Sequence, residues 1–237
     1  MPITVHVIDS KVIQKDIDDI FDYFVSVDNR FSTYKKNSEI SKINRGEISE
    51  KNYSLEMKKV LKLCEKTKKE TNGYFDITHN GIMDPSGLVK GWAIQNAAQF
   101  LQKKKFKNYY VEAGGDIQTS GFSSSNKKWR IGIRNPYQLK QIVKVLYLGD
   151  NEGIATSGNY ERGEHIYNPK GIAQKQILSI TVIGPNVLEA DRFATAAFAM
   201  GEKGVEFIEN KKDLEGYMID TQGIATMTSG FEKYVKA

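Results

Sequence analysis

The stretch that most constrains this chain is "LEADRFATAAFAMG", residues 188 to 201, which is small or apolar on nearly every side. A helix of that composition is built to be buried, so other elements must cover it. The chain has the means: 237 residues with 40% hydrophobic content support a sizeable core, and one domain over residues 1–237 is the simplest account. Among the polar residues that interrupt the apolar run are Asp191 and, four places later, Thr195.

The remaining segments supply the covering layers. "MPITVHVIDSKV" alternates like a strand. Ile17, Ile20, Phe21, Phe24 and Val27 recur at helical spacing, giving an amphipathic helix that ends near Asn29. Leu55, Val60, Leu61 and Cys64 repeat the pattern up to a stop at Asn72-Gly73. "LVKGWAIQNAAQFLQKKKF" forms a third helix after a "DPSG" turn. From Tyr109 onward, short β-branched and aromatic runs are punctuated by glycine and proline: "YYVEAGGDIQTSG", "KWRIGIRNP", "QIVKVLYLGDNEGIATSG" and "QILSITVIG". After the buried helix come a helix near "GVEFIENKK" and two closing strands, "LEGYMID" and "GIATMTSGF". The fold class is α+β, a mixed or antiparallel sheet flanked by helices.

Charge and cysteine content exclude several function classes. The net charge of +5 comes from lysines scattered through "KLCEKTKKETNG" and "LQKKKFKN", which read as solvated helix faces and not as a nucleic-acid surface. Cys64 is the single cysteine, so no internal disulfide framework exists, and it sits where a small buried side chain is expected. No segment offers the run of about twenty apolar residues that a transmembrane helix needs. The first residues lack the basic and apolar regions of an export signal, so a cytoplasmic protein is expected.

Four constellations could carry chemistry. On one helix face, the Asp191 carboxylate and Thr195 hydroxyl can converge on a hard cation; the same spacing also suits a helix cap and a threonine bonded back to its own helix. In "GYFDITHNGIMDPSGLVKGWA", Asp76 and Asp84 flank a turn-rich stretch, and Lys90 adds positive charge to a glycine-bearing helix start whose amides can face an anion. An ordinary strand-turn-helix with exposed acids explains it equally, and the spacing is not that of a P-loop. In "GIATSGNYERGEHIYNP", Thr156, Ser157 and His165 offer hydroxyls and a proton-transfer group. In "NRFSTYKKNSEISKIN", a segment that reads as a loop, Tyr34 could stack on a nucleotide base. His6 has no evident partner.

In this order, "FSTYKKNSEISKIN", "YFDITHNGIMDPSGLVKGWA", "EAGGDI", "ATSGNYER", "HIYNP" and "ADRFATAAFAMG" resemble the motifs of the ApbE family, the FAD:protein FMN transferases. The resemblance implies binding of FAD, as substrate, with Mg2+ at its pyrophosphate, and transfer of FMN to a threonine or serine hydroxyl of a target protein with release of AMP. By motif position it makes Asp191, Thr195 and the Gly87 carbonyl the metal ligands, and puts Tyr34 on the adenine. It puts Tyr74, Phe75, Asp76, Asp84, Lys90, Ser157 and His165 around FAD, with Met1 near a further contact segment. His165 is the preferred base for the acceptor proton and Asp84 the second candidate. The acceptor motif implied resembles D-G-x-x-[ST]-G-A-[ST] and is absent from this chain, so a separate protein partner is expected. Two other expectations share the residues: an FAD pyrophosphatase releasing FMN and AMP, and an FAD-binding module without turnover.

Overall fold

The computed structural model describes residues 1–123, 126–159 and 175–236. Its spine is a seven-stranded sheet in which every pair is antiparallel. The strands, in spatial order, are β1 (Ile3–Val7), β4 (Tyr109–Ala113), β5 (Asp116–Ser120), β8 (Gly153–Gly158), β9 (Ile177–Gly184), β10 (Glu215–Asp220) and β11 (Ala225–Met227). A hairpin of β6 (Trp129–Arg134) and β7 (Ile142–Leu148) covers one face, and a small hairpin joins β2 (Thr78–His79) to β3 (Ile82–Met83).

The helices cover the other face. They are α1 (Gln14–Phe31), α2 (Glu39–Asn44), α3 (Leu55–Glu70), α4 (Ser86–Lys103), α5 (Val187–Ala199) and α6 (Lys203–Glu209). Strand alternation divides the core between the two sides. Along β8 and β9, Ala155, Ile180 and Val182 pack with α5, whereas Ile154 and Ile183 pack with the β6–β7 hairpin and Phe231. Because both faces are covered, "ILSITVIG" is apolar almost throughout instead of alternating. Burial of α5 is as its composition requires: every residue from Ala190 to Ala199 except Thr195 is buried.

Several local expectations change. Residues 34–44 are not all loop: the Ser38 hydroxyl accepts from the Ser41 amide at 3.2 Å and starts α2. Asn44 then clamps α2 to β3 through two 2.9 Å bonds with the Met83 backbone. Phe21 and Leu55, assigned to apolar helix faces, are 39% and 75% exposed. Phe21 lies beside the buried stripe of Ile20, Phe24 and Val27, and Leu55 occupies the first helical position of α3, beyond the reach of the core. His6 does have partners: it stacks on Tyr110 with centroids 5.3 Å apart and meets Trp129 edge-on. None of the described helices is long and apolar enough to cross a membrane.

Candidate active site at the seam between two helices

The start of α4 is fixed locally. Asp84 accepts from the Ser86 amide at 3.0 Å, and the Pro85 carbonyl accepts from the amides of Leu88 and Val89. The helix therefore begins at Ser86, one residue before Gly87, and the "DPSG" turn of the sequence reading is partly helical. Gly87 and Gly91 then lie one turn apart on one face.

That face meets α5. A β-carbon on Gly91 would lie 2.7 Å from Asp191 Cβ and 2.8 Å from the Val187 carbonyl oxygen. One on Gly87 would lie 2.9 Å from the Thr195 methyl and 3.5 Å from the Phe75 ring. Asp191 sits opposite Gly91 and Thr195 opposite Gly87, so the helices cross antiparallel, and at Gly91 the approach leaves no room for a β-carbon. The glycines of "PSGLVKG" thus serve helix packing, a role the anion-facing expectation did not include.

Polar groups line this seam. Asp191, 2% exposed, accepts from the Gly91 amide through Oδ2 at 2.7 Å. Thr195 donates its hydroxyl to the Gly87 carbonyl at 3.0 Å. The two ordinary alternatives for these residues are therefore not what the helix does: Asn186 is the cap, accepting from the Glu189 amide at 2.9 Å, and Thr195 bonds across to α4 instead of back along α5. Lys90 reaches into the same place, 2.7 Å from Asp116 Oδ2 and 3.7 Å from Asp191 Oδ1. Burial pushes the Asp191 carboxyl up to about 7; the Lys90 ammonium opposes that rise and the Asp116 charge adds to it.

Asp116, the aspartate of "EAGGDI", is 1% exposed. It follows a tight turn at Gly114 and Gly115, both at positive φ, and its Oδ1 accepts from the Thr156 amide at 3.1 Å. Only its place in "EAGGDI" could have signalled it.

The other expected residues surround the seam at differing distances. Phe75 is buried against Gly87, with its amide bonded to the Thr71 hydroxyl. Tyr74 is half-buried beside it. Asp76 pairs with Lys68 at 2.7 Å and accepts from the Thr78 amide, so its carboxylate is already engaged. Asp84 is exposed, one turn before Gly87. Ser157 is buried on β8, next to the residue that bonds Asp116. Met1 is exposed, and the neighbouring Pro2 carbonyl accepts from the Gly114 amide. Tyr34 is 98% exposed, an open ring with nothing packed over it. His165 lies outside the described residues.

The donor set suits a hard cation. Among the described residues no three His, Cys, Asp or Glu side chains group as an ion cage. One carboxylate, one hydroxyl and one carbonyl match what Mg2+ takes from a protein when water and phosphate complete its shell. Adjacent oxygens of an octahedron with bonds of about 2.1 Å stand about 3.0 Å apart, and the Gly87 and Thr195 oxygens are 3.0 Å apart. On the opposite sheet face, a cavity of about 270 Å3 is bordered by Gly114, Gly115, Thr156, Tyr110, Trp129 and Arg134.

An antiparallel sheet with helices on one face and a hairpin on the other is a fold already known from solved structures. The fold matches flavin transferase ApbE from Vibrio cholerae with a TM-score of 0.83 at 23% identity, covering 98% of this chain and 95% of that one. It matches the ApbE protein of Thermotoga maritima with a TM-score of 0.86 at 22% identity, covering 98% and 96%. The ApbE family matches residues 1–84 and 79–218, and the chain belongs to that family. A Chlamydia muridarum relative named FAD:protein FMN transferase is 30% identical over 89% of this chain and 83% of its own length. A Vibrio cholerae relative of the same name is 25% identical over 97% and 84%.

Proposed function

We propose that this chain is a Mg2+-dependent FAD:protein FMN transferase that modifies a threonine or serine of a separate acceptor protein. The observation that carries the reading is the seam itself: Thr195 bonds Gly87 across α4 and α5, with buried Asp191 and half-buried Lys90 one turn away. Relatives over most of the chain bear the transferase name.

Transfer joins the acceptor hydroxyl oxygen to the FMN phosphorus, breaks the pyrophosphate bond to AMP and releases the hydroxyl proton. Such a displacement needs charge neutralisation and alignment more than covalent help. When bound, Mg2+ supplies Lewis-acid stabilisation of the phosphate charge. Asp191, Thr195 and the Gly87 carbonyl would hold it. Lys90 adds a second positive charge beside the pyrophosphate, and the close helix crossing keeps these groups from moving apart. Tyr34 stacks on the adenine, and Tyr74, Phe75 and Asp76 flank the cofactor with Ser157 and Met1. The proton passes to His165 or to Asp84, which loss of kcat in H165A or D84N distinguishes.

The test is incubation of the protein with FAD, Mg2+ and a protein carrying D-G-x-x-[ST]-G-A-[ST], read by intact mass and by AMP release. An FMN adduct on the acceptor, absent when Mg2+ is chelated, is expected. Free FMN and AMP without an adduct would replace this reading with a pyrophosphatase, and FAD bound without AMP release would replace it with a binding module.

A further inference from the structure

Lys90 stands between two carboxylates and is much nearer one of them. Its ammonium is 2.7 Å from Asp116 Oδ2 but 3.7 Å from Asp191 Oδ1. Asp116 is well placed to hold it: the side chain is 1% exposed and anchored through Oδ1 to the Thr156 amide. No hydrogen bond of acceptable direction ends on its Oδ2, so the Lys90 charge is what compensates that buried oxygen. Lys90 itself is on α4 between Gly87 and Gly91, with a side chain 15% exposed. Among the described residues, the next carboxylate oxygen to this ammonium after Asp116 is Asp191 Oδ1, where it would take the place of a divalent cation.

We infer that Asp116 is a positioning residue: it holds the Lys90 ammonium back from Asp191, so that the Asp191 carboxylate stays available to a divalent cation. This rests on the proposed cation site. In this reading Asp116 is not a ligand; it acts through Lys90.

The test is titration of the ligand-free full chain with Mn2+ by calorimetry, with no FAD present. Four proteins are compared: wild type, D116N, K90M and the double variant. D116N keeps the oxygen that accepts from Thr156 while removing the charge that holds Lys90. It is expected to bind Mn2+ about tenfold more weakly, because a freed ammonium now pairs with Asp191 in a poorly hydrated setting. K90M is expected to bind as tightly as wild type or more so. The deciding comparison is the effect of D116N once Lys90 is gone: the double variant should match K90M within about twofold, since coupled residues are non-additive.

An equal D116N penalty in both backgrounds would make Asp116 merely a nearby charge and overturn the inference. So would D116N binding like wild type. Should D116N fail to fold, K90M alone decides, because binding weaker than wild type would show that Lys90 does not compete for Asp191. Absence of Mn2+ binding by wild type at millimolar concentration sinks the cation site and this inference together. Weak binding confined to the variants cannot be confused with that result.

Discussion

Replacing Gly91 with alanine tests whether the site depends on the closeness of α4 and α5. Alanine is the better helix former, by about 1 kcal/mol in a helix interior, so propensity alone predicts a stabilised protein. The geometry predicts the reverse. The new methyl would lie 2.7 Å from Asp191 Cβ and 2.8 Å from the Val187 carbonyl, neither of which is the tip of a flexible side chain. Overpacking of this kind costs about 1–3 kcal/mol, and contact with fixed backbone belongs at the upper end. Subtracting the propensity gain leaves a loss of about 2 kcal/mol, or about 4–8 °C in Tm for a domain of this size. G87A is the control: its methyl would meet the Thr195 methyl at 2.9 Å and hydroxyl at 3.3 Å, groups that can turn aside. Its stability should stay close to wild type, while the turned hydroxyl loses the Gly87 carbonyl. Calorimetric melts of the ligand-free proteins give the answer. G91A melting at or above wild type would refute the argument.

Three further outcomes are expected. D191A should lose at least about a hundredfold in transfer rate, because a charge-stabilising ligand is removed, with its far-UV spectrum unchanged; normal turnover at limiting Mg2+ would contradict the assignment. Because the folded Asp191 carboxyl is raised to about 7 from an ordinary 3.8, the folded state holds more protons than the unfolded one in that window. Wild-type stability relative to D191N should therefore fall as pH rises from about 4 to 7, while Mn2+ affinity rises, and urea titrations or Mn2+ affinities flat across that range would count against it. Y34A should leave Tm unchanged, since the ring is 98% exposed, and should weaken FAD binding by about 1–3 kcal/mol, the usual worth of a base-stacking aromatic; an unchanged FAD dissociation constant would remove Tyr34 from the adenine.

Periodicity made the long elements readable. The apolar spacing of Ile20, Phe24 and Val27, and the all-round apolar character of residues 188 to 201, survive as α1 and α5 because burial enforces them. Short elements were harder: α2 depends on one Ser38 cap and a tertiary clamp at Asn44, neither of which leaves a periodic trace. For the site, Asp191 and Thr195 could be picked out as polar interruptions of an apolar run. The Gly87 carbonyl entered only through the family resemblance, and the Gly91 amide not at all, because both are backbone groups about a hundred positions away. Asp116 and its hold on Lys90 are likewise long-range, and an aspartate after a glycine turn carries no sign of burial in its sequence context.

The same separation has a kinetic meaning. Asp191 meets Gly91 across 100 residues and Thr195 meets Gly87 across 108. Closing so long a loop is entropically costly before any contact repays it, and chains dominated by such contacts fold slowly. During synthesis, α4 is complete while α5 is still untranslated, so the growing chain carries an uncovered glycine face. The α4–α5 seam is therefore among the last features the protein acquires.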